Sequence, residues 1–168
     1  MIKVNFELND RKITVNYYPF DIFPPASAKP IREFYDIWNK CRGDNRLPSR
    51  KDMKFEYMKG WHSNIKLTYM GLTPQDKKKN LILGEKYQQY WGRKTMKQQI
   101  EEMGKAGIPF MKKYHECLQH LYDGHYGINT GLCPNSDGSM RNMIWIDLPL
   151  AENSENMDHI ITAIVPLP

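Results

Sequence analysis

The rhythm of apolar and polar residues changes along this chain, and each change predicts a different element. Val4, Phe6 and Leu8 alternate with polar neighbours, and Ile13, Val15 and Tyr17 repeat the pattern after a polar "NDRK", which predicts a small β-hairpin. Two strands alone are marginal in water, so this hairpin must lean on the main body or on a second chain. "YPFDIFPPASAKP", Tyr18 to Pro30, holds four prolines, which remove backbone donors and fix φ, and reads as a connector. Ile31, Phe34, Tyr35 and Trp38 then follow the i, i+3, i+4, i+7 spacing of one helical stripe. Gly43 fits the C-terminal cap of that helix, and Pro48 bars its continuation.

An irregular or briefly helical passage around Lys51 to Lys59 leads to "NIKLTYMG", where Ile65, Leu67 and Tyr69 share one face of a strand. "NLILGE" is compatible with a second strand ended by Gly84. Two short helices are expected between Glu85 and Met103, with Tyr87, Tyr90 and Trp91 on the first and Met96, Ile100 and Met103 on the second, separated at Gly92. "AGIPFMKKYHECLQHLYDG" predicts a longer helix with Pro109 near its start and Phe110, Tyr114, Leu118 and Leu121 along one face. In the last third, "HYGINTGL", "MIWIDLPL" and "DHIITAIVPL" alternate again between polar turns, as three consecutive strands of an antiparallel meander would. The order strand, strand, short helices, long helix, three strands is α+β, with one sheet and helices on one side.

Composition narrows the classes without naming a function. At 168 residues, with 40% hydrophobic and 26% charged positions, the chain has the make-up of one ordinary globular domain. Lys and Arg exceed Asp and Glu by only 24 to 19, and the densest basic run is the turn-like "DKKKN", Asp76 to Asn80, so no nucleic-acid surface is expected. Cys41, Cys117 and Cys133 are an odd number at wide spacing, which suggests free thiols in a reducing compartment. The charged, alternating N-terminus lacks the apolar run of a signal peptide or membrane span, so a cytoplasmic protein is expected.

Three blocks carry a family likeness. Trp38, Arg42-Gly43, Arg46, Pro48, Arg50 and Asp52 form the first; Leu81, Leu83, Tyr90, Trp91, Gly92 and Arg93 form the second; "MIWIDLPLAENSENMDHIITAIVPL" forms the third. In this order they resemble a bacterial PAS family, common in alphaproteobacteria, over about Ile31 to Pro168. The resemblance implies a five-stranded antiparallel sheet with helices on one face, plus the N-terminal helix and a possible hairpin extension. It places residues 1–30 as an extension and 31–168 as the PAS-like domain. The Arg42, Arg46, Arg50 and Asp52 group is expected to make ion pairs and backbone bonds that fix the start of the core, with phosphate or second-messenger binding as the rival use.

A PAS sheet and its helices usually enclose a mostly apolar cavity. Tyr87, Trp91, Phe110, Tyr114, Leu118 and Trp145 are the expected lining, although ordinary core packing would account for each as well. Haem would need an axial histidine on the long helix; His115 and His120 are five residues apart, so at most one faces inward, and a surface histidine is the commoner outcome. A flavin adduct is not expected, since Cys41-Arg42 only mimics the required context ahead of the core. Cys117 and His120 offer one i, i+3 metal-ligand pair, short of the four that zinc wants. No nucleophile and base pair appears for an enzyme, and no Walker loop is present. The expectation is therefore a sensory or regulatory module, not an enzyme. It would bind a small apolar or amphipathic ligand or a protein partner, with an unidentified regulatory protein as its output. A homodimer is expected, using the N-terminal hairpin and the Ile31 to Cys41 helix as its surface. The alternative is a ligand-free adaptor whose core is filled by its own aromatics.

Overall fold

A computed structural model describes residues 1–8, 11–71, 78–91, 98, 101, 104–105, 107–134, 138–153 and 155–167, with residues 6 and 8 as backbone alone. Met96, Ile100 and Met103 of the expected second short helix lie outside the described residues. The elements are β1 (Ile2–Leu8), β2 (Arg11–Pro19), α1 (Arg32–Arg42), β3 (Ile65–Tyr69), β4 (Lys79–Leu83), α2 (Glu85–Trp91), α3 (Gly107–Tyr122), β5 (His125–Pro134), β6 (Met140–Leu150) and β7 (His159–Pro166). Short 3-10 turns at Ala26–Ile31, Phe55–Met58 and His62–Asn64 link them.

The sheet is antiparallel throughout, in the order β1-β2-β5-β6-β7-β3-β4. The last three strands lie beside the two earlier ones, β3 and β4, with β7 paired to β3. The five-strand expectation is corrected to seven: β2 pairs with β5, from Ile13 opposite Gly131 to Pro19 opposite His125, so the hairpin continues the sheet. Its need for support explains this, because pairing with β5 buries Ile13, Val15 and Tyr17 in the same apolar cluster as the rest of the chain.

The helices after β4 share one face of the sheet, as expected, and the N-terminal helix lies on the other. Residue parity separates the two sides of the sheet, since neighbouring side chains on a strand point to opposite faces. Tyr18 and Tyr126 face one another in register on one side and stack, and Tyr35 of α1 lies 4.9 Å from the Tyr126 ring. Tyr17 points to the other side, where it hydrogen-bonds Cys117 of α3 and its ring lies 4.7 Å from that of His120. Thus α1 covers one face, and α2 and α3 the other.

The helix α1 forms where the periodicity put it and buries Phe34, Tyr35 and Trp38; Ile31, Phe34 and Trp38 are 0% exposed. Its apolar stripe is spent inside the molecule, which corrects the expectation that this stripe serves as a dimer surface. The chain leaves it at Gly43, whose φ of 53° is a conformation that residues with a Cβ rarely adopt. Arg46 then donates to the carbonyls of Tyr122 (2.6 Å) and Glu155 (3.3 Å), and Asp52 accepts from the Ser49 N–H (2.8 Å). Arg42 donates to the Asn39 side chain and Arg50 is exposed, so these arginines meet carbonyl oxygens where ion pairs were also expected. Arg46 alone among them ties the loop after α1 to the end of α3 and to the β6–β7 turn.

Gly84, between β4 and α2, is needed for space. A Cβ there would stand 2.7 Å from the His62 carbonyl oxygen and closer still to the Ser63 backbone, while the Gly84 N–H donates to Ile65 O at 2.8 Å. Because backbone cannot yield as a flexible side chain does, Gly84→Ala is expected to cost about 2 kcal/mol in urea denaturation.

Candidate functional site

The face under α2 and α3 carries a row of side chains, of which Lys66, Asp147 and Thr162 are ones that strand alternation alone would assign to solvent. Register lines up Tyr17, Gly127, Asp147, Thr162 and Lys66 across five adjacent strands, β2, β5, β6, β7 and β3. In a sheet with one wet face these positions would be surface; here helices cover them. Gly127 leaves the row open, and the Tyr17 ring lies across the place where its side chain would be.

Asp147 is the centre of the row. Thr162 Oγ1 donates to its Oδ1 at 2.6 Å and Asn129 Nδ2 donates to its Oδ2 at 2.8 Å. Burial raises the carboxyl pKa, against the opposing effects of Thr162, Lys66 and Asn129. Burial alone would lower the Lys66 ammonium, yet the Tyr87 phenol and the Asp147 carboxylate outweigh it and leave that pKa raised. Lys66 Nζ also stands 5.2 Å from the Tyr87 ring centroid and hydrogen-bonds that side chain. Asp147 and Lys66 each keep partial exposure although helices cover this face.

Of the six expected lining residues, Tyr87, Phe110 and Trp145 are buried, whereas Trp91, Tyr114 and Leu118 are half-buried. Trp91 and Trp145 meet edge to face at 5.1 Å, and Phe110 stacks with Tyr114 at 6.4 Å. Arg11 of the hairpin lies 4.5 Å over the Trp91 ring and donates to its carbonyl at 2.7 Å. The structure thus brings the predicted aromatics onto the face that carries the polar row. Sequence reasoning missed Lys66, Asp147, Asn129, Thr162 and Tyr17 as site residues. The usable signal was a carboxylate and a lysine inside two of the most apolar strands, "MIWIDLPL" and "NIKLTYM".

His115 is exposed on the outer side of α3, and His120 is the inward one of the pair, close to Tyr17 and 6.2 Å from the His125 ring. Among the described residues no three His, Cys, Asp or Glu side chains converge as metal ligands. Cys117 hydrogen-bonds Tyr17, and burial raises its thiol pKa, the reverse of what activates a nucleophile. Burial likewise holds the Cys133 thiol at about 11.

Burial raises the pKa of six phenols: Tyr17, Tyr35, Tyr87, Tyr114, Tyr122 and Tyr126. Above pH 10 the folded state therefore keeps protons that the unfolded chain has lost, and stability must fall as pH rises through that range. In a 295 nm titration these six are expected to ionise late, in one step with the loss of near-ultraviolet circular dichroism. Ionisation of all ten tyrosines near pH 10 with the fold intact would contradict this.

No family model matches the chain, and no curated protein does. Among solved structures, it is similar to the protein described as "Structure of an RNA-binding Light-Oxygen-Voltage Receptor", at 11% identity and a TM-score of 0.44. That similarity covers 90% of this chain and 38% of that one.

Proposed function

We propose that this chain is a PAS-type sensory or regulatory module that binds a small amphipathic ligand between the sheet and α2–α3 and signals through protein contacts. The observation that carries this reading is the half-buried Lys66–Asp147 row on the covered face, beside the aromatic group Tyr87, Trp91, Phe110, Tyr114 and Trp145. Ligand sites combine an apolar wall with a few orienting polar groups, and both are adjacent here. The five strands β4-β3-β7-β6-β5 lie side by side in the sheet, in keeping with the five-stranded antiparallel sheet that the resemblance to PAS domains implies. A ligand that fits one packing of this interior better than another shifts the population by no more than its differential affinity. The three cysteines are free, in keeping with a reducing compartment, and no helix among the described residues is long and apolar enough to cross a membrane.

The test is native mass spectrometry of the purified protein, followed by solvent extraction and an ultraviolet-visible spectrum. A stoichiometric small molecule is expected, and Lys66→Met should reduce its occupancy while the protein stays folded. A second reading, the ligand-free adaptor, is favoured by the direct Trp91–Trp145 contact and the burial of Tyr87 and Phe110. It prevails if no bound molecule is found and small-molecule screening produces no change in melting temperature.

A further inference from the structure

The two edges of the sheet are unlike. On the β4 side the edge strand has five residues, begins with Lys79 and follows a register shift between Leu67 and Thr68. Bulges, short length and lysines are the usual devices that keep an edge unpaired. At the other end β1 has seven residues, and its register with β2 runs unbroken from Ile2 opposite Tyr17 to Leu8 opposite Arg11. The outward direction of its backbone can be read from Lys113, whose Nζ donates to the Asn5 carbonyl at 2.6 Å. That carbonyl points away from β2, so by alternation the N–H and C=O of Lys3, Asn5 and Glu7 face outward, with no strand beside them among the described residues.

We propose that β1 pairs antiparallel with β1 of a second copy of this chain, about a two-fold axis at Asn5, joining two sheets into one. The sequence "IKVNFEL" is self-complementary about that point. Antiparallel pairing centred on Asn5 sets Asn5 opposite its own copy and Lys3 opposite Glu7 of the second chain, twice by symmetry. Apolar positions then meet apolar positions, with Val4 opposite position 6 and Ile2 opposite position 8. Lys3, Asn5 and Glu7 are exposed, and the Glu7–Lys12 pair on the same strand ladder is a loose 3.9 Å contact between side chains 69% and 83% exposed. Glu7 is therefore available to a lysine across the new ladder. Among the described residues, the side-chain hydrogen bond to be given up is that of Lys113, an exposed side chain that water can satisfy.

Sedimentation velocity of the full chain over a range of concentrations tests this. The wild type is expected to dimerise, and Lys3→Glu or Glu7→Lys alone to weaken the dimer about tenfold or more, since each places like charges opposite one another at two symmetric points. The charge-swapped chain, Lys3→Glu with Glu7→Lys, should restore it. Asn5→Pro removes an outward N–H, which an edge strand tolerates, and should give a folded monomer by circular dichroism. A wild type that stays monomeric overturns the proposal, as does a dimer that ignores either single reversal.

Discussion

Trp38→Ala is expected to lower the unfolding free energy by about 4 kcal/mol, a large part of the 5 to 15 kcal/mol typical of a domain. Trp38 is 0% exposed and joins three parts of the chain. Its Nε1 donates to the Pro149 carbonyl on β6 at 2.9 Å, and its ring lies 5.3 Å from Phe20 in the connector and 5.9 Å from Tyr35 in α1. Truncation removes the largest apolar side chain between α1 and the sheet and leaves that carbonyl without its donor. Trp38→Phe should recover part of the loss, because it keeps a ring but not the hydrogen bond. Urea denaturation followed by circular dichroism gives both values; a cost under about 1 kcal/mol for the alanine variant would mean that α1 does not hold the sheet as described.

Asp147→Ala is expected to cost about 3 kcal/mol, although the carboxylate is not itself comfortable in the fold. Truncation strands the Thr162 hydroxyl and the Asn129 amide, and deprives Lys66 of its nearby counter-charge. Asp147→Asn should cost less, because it keeps an acceptor for Thr162 and removes the charge that burial penalises. The pH dependence separates these effects. With the Asp147 pKa raised in the folded state, that state binds more protons than the unfolded chain from about pH 4 upward. Wild-type stability relative to Asp147→Asn should therefore fall as pH rises through this window. A difference that is constant with pH would place Asp147 in ordinary contact with solvent. Combining Asp147→Ala with Lys66→Met should cost less than the sum of the two, since the residues act on one another.

Most of the described strands and helices were legible because they follow a simple period, whereas β4 was only a short apolar run compatible with a strand. The stripe of Ile31, Phe34, Tyr35 and Trp38 has the period of a helix, and the alternations in "MIWIDLPL" and "DHIITAIVPL" have that of strands, so these elements follow from local pattern. The role of the hairpin was not legible. A polar and apolar alternation says that one face must be covered, but not whether β5 or another molecule provides the pairing edge.

The aromatic half of the candidate site could be read because large rings at helical spacing point to one place. The polar half could not, for a definite reason. Lys66, Asp147 and Thr162 stand at alternate strand positions, and a one-dimensional reading sends such positions to water. Local sequence thus determined the elements, the capping of α1 at Gly43 and the antiparallel order of the final strands, since these depend on neighbours within a few residues. Tertiary structure alone decided that helices cover both faces, that the hairpin makes the sheet seven strands wide, and that a carboxylate and an ammonium share its interior. Burial depends on what lies across the sheet, and for Asp147 those groups come from strands and helices up to more than a hundred residues away in the chain.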